Sequence, residues 1–288
     1  MTTQLNTAAD VSAFALAVQE DAVFVERDTN FMKTLVQTYG DRTGINTRKN
    51  FKYSAGTAKT IGETDDLTSD AFTPALLQTL TPGEIGEQFF ISDLRIETDT
   101  VENIRNDAAT ELGAAAAYKV ETDLLGDMAN FTGGTIGAAG TTITWGYVFA
   151  AATKSRAAMK NRGLPLACVL HEYQWHALAK AVSVAGITLS QIPDRVTGLG
   201  SAWYVGTAAN ISFYATTNIS IDGSDDAKGG LFPRVALAYD ERRAIRIEPQ
   251  RDASRRGWEL NMSAVYAHGI WRPEYGVTLL FDATAPTS

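Results

Sequence analysis

Residues 99–128 read DTVENIRNDAATELGAAAAYKVETDLLGDM, and the rest of the chain arranges itself around how this run is understood. Ile104, Ala108, Leu112, Ala115, Ala116, Leu124 and Met128 lie three, four or a sum of these apart, the spacing of one helix face. Asp99 followed by Glu102 is an Asp variant of the capping box. No proline occurs between Val101 and Met128, and glycine only at Gly113 and Gly126. At 1.5 Å per residue the run predicts a lone helix roughly 40 Å long. Its alanine-rich centre, ELGAAAAYK, suits close approach by another backbone or sheet. The glycines of 131–140, FTGGTIGAAG, end it. They read as a flexible joint, because a phosphate loop follows a strand, opens a helix and carries a lysine.

Upstream, residues 40–70, GDRTGINTRKNFKYSAGTAKTIGETDDLTSD, are rich in Gly and Thr and poor in large aliphatics. Such a run cannot build a core of its own, and its length without helical periodicity is unusual inside a compact domain. Such segments are functional loops, linkers or disordered; an extended hairpin lying on a partner subunit also explains it, because the partner supplies the missing burial. EQFFISDLRIE (87–97) then reads as a strand returning to the core through Phe90, Ile91, Leu94 and Ile96. Residues 1–40 read as an arm with two short helices, one through Val11, Phe14, Ala15 and Val18, the other through Phe31, Leu35 and Val36. The arm either packs on its own core or reaches across a neighbour.

Downstream, residues 141–240 alternate helix and strand. Trp145 to Lys160 predicts a helix closed by Asn161-Arg162-Gly163, LACVL (166–170) a buried strand, and HEYQWHALAKAV (171–182) a second helix. AWYVG, ISFYA and LFPRVALAYD read as strands. Ile245 and Ile247 alternate with Arg246 and Glu248, and Trp258, Leu260, Met262, Ala264 and Tyr266 hold a period of two. Tyr275, Val277, Leu279 and Phe281 do the same after Arg272-Pro273-Glu274, which predicts a long antiparallel pair reversed at the proline.

The 288 residues suffice for one large domain or two modest ones, and a hydrophobic share of 45% is ordinary for a globular chain. The formal net charge of −8 argues against direct grip on nucleic acid, which works by neutralising phosphates. A single cysteine, Cys168, precludes an internal disulfide and fits a reducing cytoplasm. The first basic residue is Arg27, so the N-terminus lacks the pattern of a secretory signal. No stretch approaches the ~20 apolar residues of a membrane span, and the chain reads as soluble, without a membrane partner.

Catalytic chemistry is scarce. His171-Glu172-Tyr173-Gln174-Trp175-His176 places its histidines five apart, about 140° around a helix, so they cannot grip one metal as HExxH does. Cys168 lies in an apolar strand and reads as structural. Asp65-Asp66 and Asp225-Asp226 fall in polar loops, where adjacent carboxylates are solvated rather than opposed across a cleft. No catalytic residue, cofactor site or metal site is assigned. Arg242, Arg243, Arg246, Arg251, Arg255 and Arg256 are interleaved with Asp240, Glu241, Glu248, Asp252 and Glu259. This mixture reads as charge-complementary docking of subunits or as a surface of weak ion pairs. With Lys59, Asp65 and Asp66 from the polar run, these arginines are the candidate intersubunit contacts.

The order of elements, with a few short motifs, resembles the major capsid proteins of tailed bacteriophages, the Hong Kong 97-like fold. Thr79-Leu80-Thr81-Pro82 with Gly86, then Ile91-Ser92-Asp93, is similar to the segment leading out of that family's extended loop. Leu112-Gly113 with Ala116 and Asp123 is similar to its spine-helix signature. Leu164-Pro165-Leu166 followed by Leu170-His171-Glu172-Tyr173-Gln174 is similar to the strand and helix of its axial domain. The resemblance implies an α+β fold with an N-terminal arm (1–49), an extended loop and return strand (50–97), a spine helix of a peripheral domain (98–140), an axial domain (141–240) and peripheral-domain strands (241–288). It implies a structural subunit, not an enzyme, assembling into pentamers and hexamers of an icosahedral head in the host cytoplasm. It further implies a separate scaffolding protein, a portal, a possible decoration protein, and double-stranded DNA enclosed but not specifically bound. One branch joins a loop lysine to an asparagine of another subunit; Lys59 and Asn261 are the nearest counterparts, without the surrounding motif. An encapsulin-like nanocompartment shell shares the fold and stands as the alternative, with a soluble α/β enzyme behind it.

Overall fold

The computed structural model describes residues 30–40, 46–64, 66, 69–98, 104–160, 162–184 and 204–287. The first helix expected in the arm, the Asp99 cap and Asp65 lie outside these residues. The chain divides into two compact units, one of 1–30, 83–120 and 243–265, the other of 31–82, 121–242 and 266–288.

The larger unit is built on a six-stranded sheet in the order β5-β12-β9-β6-β8-β7. Its strands are β5 (Thr135–Gly137), β6 (Leu166–His171), β7 (Tyr204–Ala208), β8 (Ile211–Thr216), β9 (Asp226–Pro233) and β12 (Val277–Asp282). Strand β6 is nearly continuous in burial and runs parallel to β8, as expected of a strand covered on both faces. The helices are α4 (Trp145–Ala158) and α5 (Glu172–Val184). The core combines Val148, Ala151 and Ala152 of α4 and Leu178 of α5 with Cys168, Leu170, Phe213, Leu231, Leu279 and Phe281 of the sheet. Cys168 is fully buried, and burial pushes its thiol far up from the ordinary value, consistent with a structural role.

Four expectations change here. Strand β12 does not pair with the strand before it; it lies between β5 and β9. The glycine run is not a loose joint. Gly137, with φ of 92°, lies so close to β12 that a Cβ there would meet the Leu280 carbonyl at 2.3 Å. LFPRVALAYD is two strands, because a 3-10 turn at Arg234–Ala236 separates β9 from β10 (Leu237–Asp252). Asp226 is not solvated either: it is buried and accepts the Gly140 N–H at 2.7 Å.

In the same unit a one-turn helix α1 (Met32–Leu35) precedes β1 (Gln37–Tyr39), which runs parallel to the start of β10. Glu121, from the long helix α3 (Ile104–Asp127), accepts the Met32 N–H at 3.0 Å. Further along α3, Asp123 accepts the Tyr266 hydroxyl at 2.7 Å, and Asp127 lies 2.9 Å from His268 Nδ1. These bonds tie α3 to β11 (Gly257–Ile270).

The smaller unit holds the first part of α3, where Leu112 and Ala116 pack on Ile91 of β4 (Gly83–Ser92) and on Leu260 and Met262 of β11. Strand β11 lies between β4 and β10. The predicted strand 87–97 ends early. Residues Asp93–Thr98 form a short helix α2, and Leu94 is exposed rather than in the core.

Candidate assembly surface

The polar run forms a two-stranded hairpin of β2 (Arg48–Tyr53) and β3 (Pro74–Leu80) in the larger unit. Strand alternation splits β2 into two faces. Arg48, Asn50 and Lys52 share one; Lys49, Phe51 and Tyr53 share the other. The first face turns to the subunit's own body. Arg48 meets Asp240, Asn50 Nδ2 donates to the Trp271 carbonyl at 2.6 Å, and Lys52 pairs with Glu274. The second face is unusual. Phe51 is 46% exposed, Tyr53 56%, Leu76 of β3 55%, and Phe72 beyond it 72%. Phe51 faces Leu76 in register, Tyr53 faces Pro74, and the Phe72 ring stacks on Tyr53 at 4.9 Å. These side chains form one exposed apolar strip on the hairpin. Contiguous exposed apolar surface of this kind marks an interaction site.

The candidate charges fall in three settings. In the loop, Lys59 Nζ lies 3.8 Å from Asp70 with both side chains well exposed, and Asp66 is exposed. In the larger unit, Arg242 Nη2 lies 2.7 Å from the buried Asp240. In the smaller unit, Arg243 pairs with Glu84, and Arg251 grips Asp93 through two bonds of 2.8 and 2.7 Å. Arg255 pairs with Glu259 at 3.0 Å and lies over the Phe90 ring, while Arg246 pairs with Glu248 on the surface. The Arg256 side chain is exposed, and its carbonyl accepts the Asp93 N–H. The described candidates that pair thus take different local partners within their own units. Arg242, Arg243, Arg251 and Arg255 hold the subunit's own strands and turns together. Lys59, Asp66, Arg246 and Arg256 are the more exposed members.

A sequence model of the phage capsid protein family matches residues 77–279, well over half of the chain. The chain belongs to that family. The capsid protein has the α+β Hong Kong 97-like fold, and it is a structural major capsid protein of the virion shell. No curated protein matches it in sequence. Solved structures of the same fold lie far away in sequence. The capsid of cyanophage P-SCSP1u superposes with a TM-score of 0.68 at 13% identity, over 92% of this chain and 91% of that one. Mycobacterium phage Che8 gives 0.66 at 16% identity, over 92% and 96%. A virus-like particle from Pyrococcus furiosus follows at 0.54 and 10% identity, over 93% and 96%. The family match favours the phage head over the nanocompartment alternative.

Of the motifs weighed for chemistry, Cys168, His171 and Asp226 are buried in the capsid protein. His171 ends β6 instead of opening a helix, and it is buried. Its Nδ1 accepts the Tyr173 N–H at 3.2 Å, so the ring is neutral with its proton on Nε2. His176 is exposed on α5, in a shallow cleft with Tyr173, Lys180 and Asp282. Among the described residues no three His, Cys, Asp or Glu side chains converge as a metal site, and no helix is long and apolar enough to cross a membrane.

Burial holds the His171 pKa below the usual histidine value. The unfolded chain therefore binds a proton near pH 6.5 that the folded chain refuses. Stability contributed by His171 is complete above that pH and is lost as pH falls toward the folded value. The slope reaches at most about 1.4 kcal/mol per pH unit. Denaturant midpoints taken from pH 7.5 to 5.5 should fall more steeply in the wild type than in His171→Gln. Parallel curves would show that the imidazole is solvated.

Sequence reasoning did not single out Arg48, Asn50, Phe51, Tyr53, Phe72, Leu76 or Asp240 as candidate contacts. Phe51 and Tyr53 could have been found by writing RKNFKY as two alternating faces, which puts both aromatics on one side.

Proposed function

We propose that this capsid protein is the repeated wall subunit of a tailed-phage head, built as pentamers and hexamers, catalysing nothing and enclosing double-stranded DNA without binding it specifically. The carrying observation is the hairpin's outward apolar strip of Phe51, Tyr53, Phe72 and Leu76, held off the subunit by a polar inner face. Its occupant is a second copy of this chain, because a shell of identical subunits presents the same neighbouring surface to every hairpin. In the family's terms, residues 50–97 are the extended loop and return strand, 98–140 the spine helix and 141–240 the axial domain. Residues 1–49 are the arm and 241–288 the peripheral strands. Lys59, Asp66, Arg246 and Arg256 sit at or near contacts between copies and set register rather than affinity. Arg242, Arg243, Arg251 and Arg255 make pairs within the subunit and are candidate contacts between copies as well. A net charge of −8 suits a wall that contains DNA without adhering to it. A separate scaffolding protein guides curvature in the host cytoplasm, and a portal and a possible decoration protein complete the head.

The test is electron microscopy of the purified chain expressed with and without the scaffolding protein of its own phage. Closed shells of uniform size with scaffold, and irregular shells or free capsomers without it, support the reading. A compact monomer at micromolar concentration under both conditions overturns it.

A further inference from the structure

We infer that Arg48, Asn50 and Lys52 form a graded anchor that aims the hairpin, firm at its root and releasable beyond the bulge at Asn50/Phe51. The inference rests on reading the hairpin as the assembly element. The three side chains occupy alternate positions of one strand, and each meets a different fixed point of the same unit. The root contact is the deepest. Asp240 is wholly buried, and the Arg48 guanidinium meets it through Nε at 3.2 Å and Nη2 at 3.3 Å. Arg242 holds the same carboxylate, and the Tyr39 ring covers Arg48 at 4.2 Å. Beside it, Leu80 closes the root in a cluster with Ala238, Ala267 and Trp271.

The middle contact is neutral and also buried. Asn50 is 6% exposed, and its acceptor Trp271 is itself held by the Ala236 carbonyl, which takes the Trp271 and Arg272 N–H groups at 2.7 and 3.0 Å. The outer contact differs in kind. Lys52 and Glu274 keep 55% and 43% of their side-chain surface in water. An exposed pair is weak and screened by salt, whereas a buried one is not. Between the inner and outer contacts the register skips Leu77, so the strands bulge where the character of the anchor changes. Bulges bend a strand and interrupt its ladder. The hairpin root is thus set by buried contacts, and the part from Phe51 outward swings about the bulge when the Lys52 pair is screened.

Hydrogen–deuterium exchange of the full chain, kept unassembled at low concentration, tests this. Arg48→Gln should speed exchange of the β2 and β3 amides at least about tenfold while the six-stranded sheet stays protected. Lys52→Gln at low salt should reproduce the wild type in 0.5 M NaCl, with faster exchange only from Phe51 outward. Should Arg48→Gln loosen the whole molecule, Asn50→Ser replaces it, removing the middle contact without stranding a buried charge. Unchanged hairpin exchange in Arg48→Gln, or in Asn50→Ser when that replaces it, overturns the anchor. So does a Lys52→Gln effect that reaches Arg48. Assembly is read separately by light scattering. A loosened hairpin that still closes shells at wild-type yield leaves the anchor standing and overturns the assembly role of the hairpin.

Discussion

Subunits carrying Phe51→Lys together with Leu76→Glu should purify folded and form no shells at concentrations where the wild type assembles completely. The two side chains face each other across the hairpin in register and are 46% and 55% exposed. Substitutions at exposed positions away from caps and networks change stability by about 0.5 kcal/mol or less each. Opposite charges directly across a strand pair support the pairing, so the hairpin is kept while its apolar face is lost. On the proposed reading each subunit both gives a hairpin and receives one, so the loss is felt at every contact. Removing a central interface aromatic costs about 2–4 kcal/mol, and a charge pressed against an apolar partner surface adds a desolvation cost. A combined loss of roughly 4 kcal/mol per contact raises the concentration needed for assembly about a thousandfold. Light scattering and electron microscopy read the outcome, and the denaturant midpoint confirms the fold. Closed shells at the wild-type concentration would show that this strip lies against something other than a neighbouring copy.

What the sequence disclosed depended on whether a feature was local or relational. The helix around Leu112 and Ala116 was legible because its period and its lack of proline are local. The alternation of Val277, Leu279 and Phe281 was equally legible as a strand. Its partners were not. Alternation says which side chains share a face and nothing about which strand lies alongside, and one neighbour, β5, is three residues of a glycine-rich run. The hairpin was visible from its composition. Its inner contacts were not, because both faces of RKNFKY contain charge. Asp240 looked like one more acid among the arginines 242–256, yet it is the buried hub of the hairpin root. Leu94 failed for the opposite reason. A leucine after a strand suggests core, but the chain turns into α2 at Asp93 and leaves it in water.

Phe281→Ala should cost about 3–5 kcal/mol of folding stability, at the upper end of that range. Phe281 is fully buried in β12, between β5 and β9, with the Tyr147 ring 5.2 Å from its own. The cost of such a truncation depends on whether neighbours can move into the space. Here they are held. The fully buried Gln174 side chain donates to the carbonyls of Phe281 and Ala227, each at 2.9 Å, fastening β12, β9 and α5 together. On the other side Gly137 supplies no side chain to fill the gap. Its backbone cannot shift toward the cavity without breaking the parallel pairing of Ile136 with Leu279. The cavity therefore stays open and its lining keeps the full loss of contacts. Domains hold about 5–15 kcal/mol in total, so the variant should unfold at a much lower denaturant concentration and yield less soluble subunit. A loss under about 1 kcal/mol would mean that β12 is not seated as described. Phe281→Ala weakens the subunit before any neighbour is met, so its shells fail in proportion to its folded fraction. The hairpin variant fails with the folded fraction intact, and that difference separates the stability of the wall's subunit from the strength of the wall.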